Sequence, residues 1–192
     1  VSLIIGVGTV IIKTSPACMS LIGAFFSFPI SFLAANNTSN GVISRFTKQV
    51  LNAVRAFPEL ILAFVFLPIT GLGPLTGTLA VGVHSIGTLG KLSSEVIEGI
   101  DEGPLEAIKA SGGSKLNELT FGVIPQVIPT ITSYWLYRFE INLRASAVLG
   151  VVGAGGVGAE LINQLRFRDF PRAGTVLVTT ILLVLTVDTI SA

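Results

Sequence analysis

Uncharged apolar stretches alternate with short charged ones along the whole chain. Residues 14–44, 60–90, 119–137, 145–159 and 173–187 carry no Asp, Glu, Lys or Arg. Between the second and third of these, residues 91–118 hold Lys91, Glu95, Glu98, Asp101, Glu102, Glu106, Lys109, Lys115 and Glu118. A helix needs about 20 largely apolar residues to cross a bilayer. The pattern therefore predicts five membrane helices, near 15–35, 46–69, 75–92, 119–140 and 172–191. Lys48, Arg55 and Glu59 place the first half of the second helix near an interface. A re-entrant hairpin over 60–90 is the alternative there. Residues 93–118 are expected to form a wet central loop inside a single all-α membrane domain spanning 13–192.

Composition agrees with that class. Of 192 residues, 51% are hydrophobic and 12% charged, against about 25% charged in a soluble domain. Too few charges remain to cover a water-facing surface. One cysteine excludes a disulfide framework and a cysteine-based metal site. A net charge of +1 gives no basic field for nucleic acid. There is no initiator Met, and Ala192 lies inside an apolar run, so the chain is expected to be cut at both ends. Residues 1–12 are too short to span, and no basic segment precedes them as in a signal peptide. Arg45, Lys48, Lys91, Lys109 and Lys115 fall on one side of the expected helices. Lys13, Arg166, Arg168 and Arg172 fall on the other, a narrow vote for a cytoplasmic 91–118 loop.

That loop carries the most specific local pattern. Gly103-Pro104 can start a short helix with proline in its first turn. Glu106 and Lys109 then match the helix dipole at its two ends. Gly112-Gly113 ends the turn, and Ser114 can cap the next helix. Leu105 and Ile108, three apart, share one apolar face, which gives a polar elbow with an apolar knob. The plain alternative is a solvated loop between spans. Glu106-Ala107-Ile108, with Gly112 six residues after the glutamate and Pro125 thirteen further on, resembles the signature loop of ABC importer permeases. Ile108 stands where that pattern has a second alanine, and Gly122-Val123-Ile124-Pro125 replaces its usual Ile-x-Leu-Pro. The resemblance implies that Leu105, Glu106, Ala107, Ile108 and Gly112 couple the chain to a cytoplasmic ATPase.

Further stretches extend the match. LNAVRAFPE at 51–59, HSIGTLGK at 84–91, YRFEINLR at 137–144 and VLGVVGAGGVG at 148–158 resemble the phosphonate-type branch of these permeases. The branch implies a type I importer fold in a bacterial cell (inner) membrane. It also implies a homodimer with a second permease copy, an ATP-binding subunit dimer and an external solute-binding protein. Its cargo would be phosphonate or a related phosphorus oxyanion. No cofactor is expected in this chain, since ATP would be bound by the partner subunit.

Two groups of residues are candidates for the translocation path and gate. Gly153-Ala154-Gly155-Gly156-Val157-Gly158 fits G-x-G-x-x-G, but a dinucleotide site also needs a strand–turn–helix context and an acidic residue about 20 positions on. Asp169, the nearest, is followed by Phe170-Pro171 between two expected spans. The run can instead give close helix packing through small residues or a pore constriction. The resemblance favours a gate, with Gly153, Gly155, Gly156 and Gly158 in it.

Arg138, Glu140 and Arg144 are charges inside an expected span, where such residues face a partner, a cavity or water. Glu140 can pair with either arginine, and its i,i+4 spacing suits Arg144. Arg138 is then the charge left over, and its planar fork suits an oxyanion.

The remaining residues have plainer readings. His84 is expected to bond a neighbouring helix, Cys18 to pack, and Phe25, Phe26, Phe28 and Phe32 to pack or meet lipid. Arg166, Arg168, Asp169 and Arg172 form an external polar loop that meets a binding protein or anchors the interface. No nucleophile–base pair or phosphate-binding lysine loop occurs, so the chain itself is expected to hydrolyse nothing. Two rival functions keep the same residues. An ion-coupled secondary transporter would use Arg138, Glu140 and Arg144 for coupling, although no inverted repeat is visible. A membrane scaffold would only dock a partner through its loop.

Overall fold

The structure is a computed structural model that describes residues 16–150 and 156–191. Every described element is helical: α1 Pro16–Ala34, α2 Gly41–Ala56, α3 Glu59–Thr70, α4 Pro74–Glu98, α5 Gly103–Ala110, α6 Lys115–Asn117, a π-helical turn Glu118–Val123, α7 Ile124–Leu149, α8 Gly156–Arg166 and α9 Phe170–Ser191.

Helix α4 is the centre, packed by α1, α2, α3 and α7. Its sequence explains why. Gly77, Gly82, Ser85, Gly87, Gly90 and Ser93 are all buried, and small residues let helices approach closely. A Cβ on Gly23 of α1 would lie 2.5 Å from the Ser85 Cβ, and one on Gly87 would lie 2.9 Å from Val54 Cγ1 of α2. Two apolar cores fill the rest. One joins Ala63, Ala80, Val81, Ala145 and Leu149, and the other joins Ala35, Ile97, Val123, Val127 and Ile131. Outward-facing Phe25, Ile69 and Leu72 are each at least three-quarters exposed.

Three expected boundaries change, among them that of the 119–140 helix, which runs instead from Ile124 to Leu149 as α7. The stretch 46–69 is not one helix but two, α2 and α3, bent by 91°. Pro58 is the cause: it restricts the residue before it to extended backbone, and Phe57 sits at φ −83°, ψ 125°. The helix expected over 75–92 runs on to Glu98. Ser93, Ser94 and Ile97 are therefore buried rather than part of a wet loop. The hairpin α3–α4 turns at Gly71, whose φ of +74° suits only glycine well, and α4 continues far beyond residue 90. Among the described residues no single helix is long and apolar enough to cross a membrane, while the bent pair α2–α3 meets that test jointly. The glycine, serine and threonine that make α4 a good packing centre also lower its apolar content.

Candidate functional site

Charged and polar side chains converge where α1, α3, α4 and α7 meet. Pro58 turns the chain so that Glu59, the first residue of α3, reaches toward Arg138 of α7. Arg138 is 5% exposed. Its Nη2 donates to Glu59 Oε1 at 2.8 Å, and its Nε donates to Ser85 Oγ at 3.0 Å. The same Nη2 lies 2.5 Å from His84 Nδ1. That Nδ1 also lies 3.2 Å from Glu59 Oε1, so His84 touches both ends of the ion pair. One turn along α7, fully buried Asn142 donates to Ser20 Oγ at 2.9 Å and to Ser85 Oγ at 3.2 Å. The cluster thus ties four helices through satisfied polar groups, as burial demands.

This corrects the sequence expectation for Arg138. It is not left over, because Glu59 neutralises it from 79 positions away. Spacing within α7 could not reveal that partner. Glu59, another carboxylate bordering a charge-free stretch, was the available signal. Glu140 does pair with Arg144 one turn on. Arg144 also lies 3.7 Å from Asp188 on α9, and its side chain remains 54% exposed. Of the two arginines, Arg144 is the accessible one. His84 bonds a neighbouring helix as expected, whereas Asp188 was missed.

The elbow forms as the local pattern predicts. Proline stands in the first turn of α5, and the Asp101 carboxylate accepts from Gly103 N–H at 3.0 Å. Gly112 adopts φ +82°, and Ser114 Oγ accepts from Asn117 N–H at 3.4 Å. Gln126 clamps the elbow to α7: its Oε1 accepts from Asp101 N–H, and its Nε2 donates to the Asp101 and Gly122 carbonyls.

The apolar face of the elbow, Leu105 and Ile108, is partly buried against the chain itself. Leu105 and Ile108 close over Gly122, where a Cβ would lie 3.1 Å from Leu105 Cδ1 and 3.3 Å from Ile108 Cδ1. Leu105 also packs on the core of Ile97, Val123 and Val127. An i,i+3 pair marks an apolar face without saying what covers it. Glu106, Ala107, Lys109 and Ala110 are the side chains left outside.

Beside the elbow, Lys48 of α2 bonds Glu98 at the end of α4 at 2.6 Å, and Asn36 N–H donates to the same carboxylate at 2.7 Å. Burial opposes ionisation of Glu98, but the Lys48 and Asn36 hydrogen bonds, with the charges of Lys48 and Lys91, hold it below the usual glutamate range. A lowered folded-state value stabilises the fold fully above the ordinary value, about pH 4.3, and the gain disappears as pH falls through the lowered one. Glu98→Gln is therefore expected to lower stability in detergent by about 1 kcal/mol at pH 7. Thermal unfolding should show the gap to the parent closing below about pH 4.

Of the glycine run, Gly153 and Gly155 lie outside the described residues. Gly156 begins α8 and Gly158 is buried within it. A Cβ on Gly150, at the end of α7, would collide with the Gly158 and Ala159 backbone. Close packing through small residues thus joins the end of α7 to the last glycine of the run. The loop expected over 166–172 is only the three residues 167–169, and Arg172 in the first turn of α9 pairs with Asp169 at 3.1 Å. Phe28 and Phe32 stack edge to face in the core, while Phe25 and Phe26 are exposed.

Residues 27–191 match the family described as binding-protein-dependent transport system inner membrane component. The chain is 40% identical over 171 residues to the phosphite transport system permease protein PtxC of Stutzerimonas stutzeri, covering 88% of this chain and 62% of that protein. It is 43% identical over 153 residues to the phosphate-import permease protein PhnE of Mycolicibacterium smegmatis, covering 79% of this chain and 29% of that one. It therefore spans less than two thirds of the length of either relative. A crystal structure of an amino acid ABC transporter superposes with a TM-score of 0.77 at 20% identity, over 99% of this chain and 91% of that one.

Proposed function

The chain belongs to the family of binding-protein-dependent transport system inner membrane components, and from that premise we propose that it is the permease subunit of an ATP-driven importer of a phosphorus oxyanion. Phosphonate, phosphite and phosphate all fit. The observation that supports this most is 40% identity, over 88% of the chain, to a phosphite transport permease. The subunit crosses the cell membrane several times, pairs with a second copy, and receives cargo from an external binding protein. Two ATP-binding subunits bind and hydrolyse the ATP.

In this reading α5 takes up the ATPase motion. Leu105 and Ile108 seat the elbow on Gly122 and the core beneath it. Displacing the exposed face of Glu106, Ala107 and Lys109 therefore moves α4 and α7 together, through Leu105 and the Gln126 clamp. The end of α7 and the 149–158 stretch form the gate. Arg144 rather than Arg138 meets the anion, because its side chain is 54% exposed although paired, whereas Arg138 is buried against Glu59. Glu140 and Asp188 compete for the Arg144 fork, which keeps any anion contact weak, as conduction requires. The direct test is affinity purification of the tagged chain from its native membranes. An ATP-hydrolysing subunit is expected to co-purify in stoichiometric amount, and a folded chain recovered without one would overturn the reading.

A further inference from the structure

Helix α2 divides its surface into three arcs. At about 100° per residue, Ser44, Thr47 and Leu51 share the arc that faces the bundle, with Ser44 and Leu51 buried. Val42, Ile43, Phe46 and Val50 fall together on a second arc about 100° wide, and all four are exposed, Val42 by 81% and Phe46 by 72%. Arg45, Lys48, Gln49, Asn52 and Arg55 fill the third. Apolar and basic arcs side by side on a helix that turns by 91° from its neighbour describe a helix lying in a membrane interface.

Where α2 crosses α4, the basic arc opens a groove of about 540 Å³ lined by Arg45, Phe46, Lys48, Gln49, Asn52 and Lys91. Three cations and two amides line it, with no carboxylate among them. Lys48 and Lys91 are each partly offset by Glu98 and Glu95. Arg45 has no ion pair among the described residues. Phe46, within the apolar arc, also lines the groove.

We propose that this groove binds the phosphodiester headgroup of an anionic phospholipid, with the acyl chains lying along Val42, Phe46 and Val50. Charge complementarity selects an anion, since an unpaired guanidinium beside two ammonium groups is a fork for phosphate oxygens. The adjoining exposed apolar arc selects a lipid over a free phosphate ion, because a free ion leaves Phe46 and Val42 uncovered. The proposal stands apart from the transport reading, since it needs neither cargo nor ATPase.

The test is native mass spectrometry of the full chain in detergent, titrated with phosphatidylglycerol or phosphatidylcholine. Phosphatidylglycerol adducts are expected at concentrations where phosphatidylcholine gives none. Each cation removed should weaken them about fivefold, so Arg45→Gln should lower affinity about fivefold and Arg45→Gln with Lys91→Gln about 25-fold. Phe46→Ser should also weaken phosphatidylglycerol, and millimolar inorganic phosphate should not displace it. Phosphatidylglycerol binding unchanged in the double variant would overturn the proposal. So would displacement by inorganic phosphate, which would mark a free-ion site. Phe46→Ser that dissociates a dimer while leaving lipid binding intact would assign the arc to a second copy instead. Arg45 is exposed and makes no contact needed for folding, so its variant reports binding even if a Lys91 variant fails to accumulate.

Discussion

Arg138→Gln is expected to prevent the chain from accumulating in folded form. The substitution leaves the Glu59 carboxylate among α3, α4 and α7 with His84, 3.2 Å away, in place of a permanent cation, and it removes the guanidinium contacts to Ser85 and His84. Breaking a buried pair from one side costs about 3–5 kcal/mol, a large share of the 5–15 kcal/mol that holds a typical domain. Replacing both partners, Glu59→Gln with Arg138→Gln, should restore much of the loss, because no uncompensated charge then remains. Arg144→Gln should also cost stability, because it leaves Glu140, whose side chain is only 11% exposed, without its i,i+4 cation. The cost should be less than that of Arg138→Gln, which in addition removes the contacts to Ser85 and His84. Size-exclusion profiles and thermal unfolding of the detergent-solubilised variants decide the order. An Arg138→Gln chain as stable as the parent would remove the cluster from the architecture.

Glu106→Lys is expected to abolish transport while leaving the fold intact. Glu106 is exposed on α5 and touches neither the Gly122 seat nor the Gln126 clamp, so opposing the helix dipole costs at most about 1 kcal/mol. At a docked surface a reversed charge meets like charge at a cost of several kcal/mol, which corresponds to a drop in uptake of about a hundredfold or more. Uptake and ATP hydrolysis should be measured together in cells or vesicles holding the whole assembly. A Glu106→Lys chain with normal stability and normal coupled uptake would show that this face of α5 does not carry the coupling.

The charge-free stretches were enough to locate α1 and α9 and most of α4 and α7, because local composition decides where an apolar helix can run. Even so, α4 continues to Glu98, and α7 runs from Ile124 to Leu149 rather than over 119–140. The elbow was also legible, since Gly103-Pro104 and Gly112 act through their own backbone geometry. What failed was everything set by distant contacts. The Glu59–Arg138 pair joins residues far apart in the chain, so α7 alone pointed to Glu140 and left Arg138 free. The inward turn of Leu105 and Ile108 depends on Gly122 lying beneath them, which an i,i+3 spacing does not encode. The bend at Phe57–Pro58 had a visible cause in Pro58, yet the long apolar run on its far side read as continuous. The π-helical turn Glu118–Val123 had no signal in the pattern of apolar positions.

The most direct measurement of the central claim is uptake into proteoliposomes holding the full-length permease and its co-purifying ATPase, supplied with the binding protein. Labelled phosphite, phosphate and a simple phosphonate are offered in turn. At least one is expected to accumulate only when hydrolysable ATP and the binding protein are both present, with no response to an imposed proton or sodium gradient. Accumulation driven by an ion gradient without ATP would contradict the account and return the chain to the class of secondary transporters.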